Sequence, residues 1–337
     1  MRAYVLKKLG EISLEDVAAP VPAEGEVLVR VRAAGICGSD VPRVYTKGTY
    51  HYPLIPGHEF AGVTSDGRRV GVFPLIPCGE CAMCRKKLYE LCRSYDYIGS
   101  RRDGAFAEYV SVPEKNLLEI PDDMPFKVAA MLEPMSVALH SVRRAGDPSG
   151  KTAVVLGAGT IGLCVVMMLR ALGASRVCII AGKDVAVNAA AALGLDEVDI
   201  IRSRGDDGDY ADLPGFDMVF ECVGKARTLS QAVGLCNPCG SLVAVGNPYG
   251  DMALERDVYW KILRNQLTVT GTWNSSYTGE DEDDWHTVVR LYEEGKIDPG
   301  RLITHSLAFD ELIRGLEIMR DKSDEYIKVM ITEEDDV

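Results

Sequence analysis

The hexapeptide Gly157-Ala158-Gly159-Thr160-Ile161-Gly162 follows directly on the short apolar run Thr152 to Leu156. It precedes an apolar, helix-patterned stretch that continues through Leu172. On its own G-x-G-x-x-G is a weak signal. Between a strand and a helix it is restrictive, because the glycines permit a tight turn and let a pyrophosphate reach the helix N-terminus. Further strand-like runs occur at Arg176 to Ile180, Phe216 to Phe220, Ser241 to Val245 and Leu267 to Thr270, with helical patterns between most of them. The expectation is an α/β domain over residues 149–273, a doubly wound parallel sheet that binds a dinucleotide. Gly157, Gly159, Thr160, Ile161 and Gly162 are its cofactor-binding candidates.

An Asp or Glu about 20 residues beyond the glycines normally bonds the adenosine ribose. Ala181-Gly182-Lys183 occupies that place, and no carboxylate follows until Asp184. Losing the acid removes repulsion toward a 2′-phosphate, and Lys183 with Arg202 could neutralise one. Asp184 could instead take over the ribose. The choice between NAD and NADP stays open, with the chemistry leaning toward NADP.

The first third of the chain has a different grammar. Glu26 to Val31, Gly62 to Thr64, Arg69 to Phe73 and Phe106 to Val112 alternate or run apolar between Gly and Pro, which predicts a small β-barrel-like domain. Ser65-Asp66-Gly67 has the chemistry of a tight hairpin turn. Cys78, Cys81, Cys84 and Cys92 fall in this third as C-x2-C-x2-C-x7-C, within a lobe rich in Lys and Arg. Four thiolates at that spacing predict a closed structural zinc site, whose binding energy would hold a lobe that has little core of its own. An iron–sulfur cluster is the main rival, but the C-P ending of a ferredoxin run is absent. Disulfides fit poorly with ten cysteines and no secretory leader.

Cys37 and His58 form a second, incomplete ligand set. A catalytic zinc keeps three protein ligands and leaves one position open, so a third should come from elsewhere in the chain. Glu133 is the candidate, a lone carboxylate in the apolar run Met131-Leu132-Glu133-Pro134. A helix-start glutamate before Pro134 is the plainer reading of the same residue. Glu59 could enter the metal sphere or sit behind it, and Asp40 could hold the far nitrogen of His58.

At 337 residues two domains are expected, and with 47% apolar residues but no apolar run of spanning length the chain reads as soluble. An N-terminus that enters a strand directly argues for the cytoplasm. The formal charge of −13 disfavours nucleic acid and anionic membrane as partners, so a phosphorylated substrate would need a local basic pocket. The acidic runs Glu280 to Asp284 and Glu333 to Asp336 read as solvated faces or tails. Cys236-Asn237-Pro238-Cys239 could suggest thiol redox chemistry, but packing cysteines at a loop is the better reading.

Taken in order, Cys37-Gly38-Ser39-Asp40, Gly57-His58-Glu59-Phe60, the four-cysteine lobe, Glu133-Pro134 and Gly157 to Gly162 resemble the zinc-dependent medium-chain dehydrogenases over essentially the whole chain. The resemblance implies a GroES-like barrel over residues 1–148, a Rossmann domain over 149–273, and a return to the catalytic domain over 274–337. It also implies two Zn²⁺ per chain, NAD or NADP, and a homodimer or homotetramer. Glu at position 133 is similar to the polyol branch, where Glu replaces a zinc-binding Cys. Val41-Pro42-Arg43, His51-Tyr52-Pro53 and Tyr95 to Gly104 resemble members that act on galactitol 1-phosphate more than those that act on sorbitol.

The reaction so implied is reversible hydride transfer between a polyol or sugar-alcohol phosphate and NAD(P), with Ser39 relaying the hydroxyl proton. A non-phosphorylated polyol or other secondary alcohol is the alternative substrate. Arg43, Arg101 and Arg102 are candidates for a phosphate, since a guanidinium fork matches its oxygens. Tyr45, Ser100, Trp273 and Asn274 are further candidates for lining the substrate site. Two features depart from the family pattern, a short hairpin after Gly62 and the missing ribose acid. A zinc-free reductase of the same fold would lack the cysteine lobe, and a non-enzymatic NAD(P) sensor would have lost the metal ligands or the relay.

Overall fold

The computed structural model describes residues 1–205 and 208–333, and the chain divides into two units. One comprises Met1–Glu133, Ser276–Glu293 and Asp298–Val337, and the other Pro134–Ser275 with Glu294–Ile297. The division after Glu133 falls in the first turn of the helix Leu132–Ala145.

The second unit is built on six parallel strands. Their spatial order is Ile200–Arg202, Arg176–Ala181, Thr152–Leu156, Phe216–Glu221, Cys236–Ala244 and Thr268–Gly271. Chain order therefore reverses between Thr152–Leu156 and Phe216–Glu221, the switch point outside which open α/β sheets bind ligands. Ala153, Val154 and Val155 are fully buried, because a parallel strand covered on both faces carries apolar side chains on both. The helix Thr160–Ala171 is buried from Gly162 through Leu169, as its apolar composition requires.

The first unit is mainly antiparallel. Its seven-stranded sheet runs Ile303–Ala308, Lys328–Thr332, Glu26–Ile36, Glu59–Thr64, Arg69–Val72 and Leu117–Glu119, with Tyr109–Pro113 also on Glu26–Ile36. The turn predicted at Ser65-Asp66-Gly67 joins two of these strands, with Gly67 at φ 90° and its N–H donating to Thr64 O at 2.9 Å. The C-terminal strand Lys328–Thr332 pairs with the middle strand, Met330 opposite Gly35, while Glu59 pairs with Gly35 from the other side. Residues almost 300 positions apart are thus neighbours in one sheet.

Three local expectations are corrected. Asp283 and Asp284 are buried rather than solvated: Asp283 accepts the amides of Thr278, Gly279 and His286, and Asp284 that of Ser276. A carboxylate that closes several loop amides stabilises a turn better than one left in water. Glu333 is tied to Arg30 and Arg32 at 3.0 and 2.9 Å, and the remainder of its acidic run lies outside the described residues. Cys236 and Cys239 lie within the strand Cys236–Ala244, where Cys236 is buried but Cys239 is exposed at φ 63°, so only the first is a packing cysteine.

Candidate metal centres and nucleotide loop

In the cysteine lobe two short 3-10 turns, Cys84–Lys86 and Tyr89–Leu91, fold the chain back so that four sulfurs converge. Sulfur–sulfur separations are 3.5 Å between Cys81 and Cys84, 3.8 Å between Cys78 and Cys84, and 4.0 Å between Cys81 and Cys92. Thiolates bound tetrahedrally to zinc lie about 3.8 Å apart, as follows from a zinc–sulfur bond of about 2.3 Å. Backbone amides of Cys84 and Arg93 pull the Cys81 thiol down to about 6, whereas burial and the neighbouring Cys81 push Cys84 up to about 12. One thiolate forms readily there and opposes the next, so four together require a cation. The donor set fits zinc.

The second cluster gathers one ligand atom each from Cys37, His58 and Glu59, all within 4.8 Å of one another. Cys37 follows the end of the long strand Glu26–Ile36, and His58 directly precedes Glu59–Thr64, its antiparallel neighbour. Asp40, fully buried, accepts the Cys37 amide on Oδ2 at 3.0 Å, while its Oδ1 lies 3.5 Å from His58 Nδ1 and pairs with Arg43. Burial alone would discharge this aspartate, but His58 and Arg43 hold its carboxyl below the usual range. Burial likewise opposes a charged His58, and Asp40 and Cys37 outweigh it and raise the imidazole well above its ordinary value. Ser39 precedes the helix Asp40–Tyr45, and its hydroxyl does not cap that helix.

Glu133 lies outside this three-residue cluster but faces the same charges. It is 7% exposed, and its one side-chain hydrogen bond among the described residues is a long one, 3.4 Å, from the Tyr97 hydroxyl. Burial, then repulsion from Glu59, lifts its carboxyl to about 7. Tyr97, itself raised by burial and by Glu133, packs its ring 5.8 Å from that of His58.

Lys328 escaped the sequence reading. It is 2% exposed and pairs with Glu59, and its Nζ also donates to Ile36 O at 3.2 Å. The lysine begins the C-terminal strand and must cross the middle strand to reach Glu59. Gly35 permits this, because a Cβ there would strike both Glu59 Oε2 and Lys328 Cε. A glycine inside a strand is a signal of close approach, so Gly35 could have indicated that something passes over it, though not what.

The glycine loop has three distinct roles. Gly157 turns the chain at φ 99°, and a Cβ on Gly162 would strike Gly157 O, so the helix lies tight against the strand end. Above Gly159, immediately before Thr160 and Ile161 open the helix, no atom lies within 4 Å of where a Cβ would stand. That open cradle is where a pyrophosphate would approach backbone amides. Lys183 directly precedes the helix Asp184–Ala192, and Arg202 at the end of its strand pairs with Asp184 at 2.7 Å.

The substrate candidates separate. Arg43 is committed to Asp40, and Arg102 to Glu26 at 2.7 Å. Arg101 has no carboxylate partner among the described residues. Its guanidinium lies 4.4 Å from the ring centres of both Tyr50 and Tyr95, a cation held by stacking. Ser100 is buried and its carbonyl accepts the Thr49 hydroxyl at 2.9 Å. Tyr45 lies against Arg320, with 4.5 Å between guanidinium and ring centre. Trp273 and Asn274 belong to the other unit, where Trp273 is exposed and Asn274, at φ 56°, accepts the Ser275 amide.

Comparison with known proteins adds to this geometry. The alcohol dehydrogenase GroES-like domain matches residues 23–122, and the zinc-binding dehydrogenase domain matches residues 160–294. Galactitol 1-phosphate 5-dehydrogenase of Escherichia coli (strain K12) is 33% identical over 90% of this chain and 91% of its own. L-threonine 3-dehydrogenase of Mesorhizobium japonicum is 30% identical over 96% of each chain. A Sinorhizobium meliloti 1021 protein solved with NADP bound superposes with a TM-score of 0.88, at 29% identity and 98% coverage of both chains.

Proposed function

Since the chain belongs to the zinc-binding dehydrogenases with a GroES-like domain and acts on alcohols or polyols, we propose that its substrate is a sugar-alcohol phosphate resembling galactitol 1-phosphate. The proposed reaction oxidises one secondary hydroxyl and, in reverse, reduces the ketose. The observation that carries the metal part of this reading is Glu133, a buried carboxyl that Glu59 repels and that His58 and Lys328 only partly offset. A metal held by Cys37, His58 and Glu133 would remove that conflict. Lys328 already neutralises Glu59 and keeps it as a reserve beside the ligands.

When bound, zinc supplies Lewis acidity that lowers the pKa of the alcohol hydroxyl, and the nicotinamide nucleotide supplies the hydride acceptor. The chain's own residues do the remaining work. Asp40 accepts the amide of Cys37 and sets its charge 3.5 Å from Nδ1 of His58, which favours one direction for both ligand residues. Ser39, two residues beyond Cys37, receives the hydroxyl proton and passes it outward. Glu133, 7% exposed, stands where water has little access. In the other unit the amides at Gly159 to Gly162 bind the pyrophosphate.

Arg101 supports the phosphate. Of the three arginines beside the ligand loops it is the one without a carboxylate partner among the described residues, and two tyrosine rings hold its fork in place. The relative at 33% identity acts on galactitol 1-phosphate, by its name. The relative named for L-threonine supplies the second reading, a small unphosphorylated secondary alcohol, for which Arg101 would be a structural stack only. A turnover screen of matched free and phosphorylated polyols separates them. With phosphorylated substrate Arg101→Met should raise KM by about tenfold to a hundredfold, the worth of a charged hydrogen bond, and leave free-polyol kinetics unchanged. Equal turnover of free and phosphorylated substrates would overturn the phosphate reading.

A further inference from the structure

Resting on the dehydrogenase reading, we infer that this chain selects the 2′-phosphorylated nucleotide, NADP, and that Lys183 and Arg202 make the selection. The parallel strands Arg176–Ala181 and Ile200–Arg202 end side by side, with Ala181 opposite Arg202 and the Ser203 amide donating to Ala181 O at 2.8 Å. Gly182 and Lys183 leave the first strand where a ribose-binding acid would stand in an NAD site. A Cβ on Gly182 would meet Ser203 Cβ at 3.7 Å, so the two strand ends form one rim with a hydroxyl-bearing residue on it.

Asp184 is the carboxylate in position to substitute for the missing acid, and the structure assigns it another task. It opens the helix Asp184–Ala192 and holds Arg202 at 2.7 Å. Both side chains are largely exposed, at 77% and 58%, and ion pairs this wet are weakly held. A 2′-phosphate carries close to two charges and offers three acceptor oxygens, so it competes well for a guanidinium that a single exposed carboxylate holds. An unphosphorylated ribose offers Arg202 no charge, and Asp184 is already engaged with that guanidinium. Arg204 stays outside the selection, because Asp212 holds its fork at 2.6 and 2.8 Å. The acidic balance of the whole chain disfavours a second anionic group at long range, which leaves the preference to these two cations.

The test is equilibrium binding to the full-length protein, read by fluorescence and without turnover. NADPH should bind at least about tenfold more tightly than NADH, and 2′,5′-ADP more tightly than 5′-AMP by a similar factor, since a charged hydrogen bond is worth about that much. The fragments lack nicotinamide and report only the adenosine end. Lys183→Ala should weaken NADPH by about tenfold and NADH by less than about twofold. Asp184→Asn releases Arg202 and should strengthen NADPH while leaving NADH where it was. Added salt should erode NADPH affinity more steeply than NADH affinity. NADH binding as tightly as NADPH, or 2′,5′-ADP no better than 5′-AMP, would overturn the inference and leave the dehydrogenase reading standing. Binding of neither dinucleotide would remove both.

Discussion

The two candidate metal centres of the first unit differ in how they balance charge. The cysteine lobe sets four like donors against one another. The cluster of Cys37, His58 and Glu59 is mixed and already partly compensated, by Lys328 on Glu59 and by Arg43 on Asp40. A set of thiolates alone would be held together by its ion, so a metal bound there would act as a fold element. A set buttressed by internal cations keeps its shape while a position stays open for chemistry. Closed and open sites can thus be told apart by where the protein places its own positive charge.

Chelation breaks this comparison most directly. Protein purified without chelator should contain about two zinc per chain, as expected for one closed and one open site. A strong chelator should remove the open-site metal first and take the lobe's only on unfolding, as metal analysis and circular dichroism would record together. Simultaneous loss would mean that the two sites do not differ in kind, and iron with visible absorption would refute the lobe assignment. Next in size, Glu133→Ala should strip the labile metal and lower kcat/KM by at least about a thousandfold, matching several kcal/mol of Lewis-acid stabilisation. Its melting curve should stay near wild type; unchanged turnover would take Glu133 out of the mechanism.

Lys328→Met sharpens the role of internal compensation. It leaves Glu59 buried without its partner and should cost about 3–5 kcal/mol of stability. The double replacement with Glu59→Gln should recover most of that loss in a denaturant titration, and no recovery would show that the pair is not a unit. Smaller still, Asp40→Asn should reduce metal affinity at the open site by about tenfold to a hundredfold and leave the lobe's metal untouched. An equal effect on both sites would deny Asp40 its specific support of His58 and Cys37. As a baseline, Arg176→Ala breaks an exposed ion pair with Asp199 and should change stability by less than about 1 kcal/mol.

Much of the architecture was legible because its signals are local. Glycine spacing between an apolar strand and an apolar helix implies a tight turn wherever it occurs, and the three glycines each meet one steric demand of that turn. The thiol spacing in the lobe was equally readable, since loops of two and seven residues let four sulfurs close on one point without help from distant chain. Asp283 and Asp284, at the end of an acidic run whose first three residues do face solvent, depart from the solvated reading for the opposite reason. Whether an aspartate faces water or loop amides depends on how the chain folds back over it, and composition carries no trace of that. Cys239 was misjudged as well: its neighbour Cys236 packs, but a left-handed residue in a strand turns the second thiol outward.

By itself, the sequence determined which chemistry the chain can hold: thiolates, an imidazole and carboxylates at metal-binding spacings, and a strand-turn-helix that admits a pyrophosphate. These follow from side-chain type and short-range sterics. Tertiary structure alone decided which carboxylate keeps a counter-ion. Lys328 reaches Glu59 only because two strands distant in sequence flank a third, and only because Gly35 leaves room between them. Burial then makes the pairing of those charges matter far more than it would in water, so Glu133, which Lys328 does not contact directly as it does Glu59, is the acid that burial and Glu59 raise to about 7.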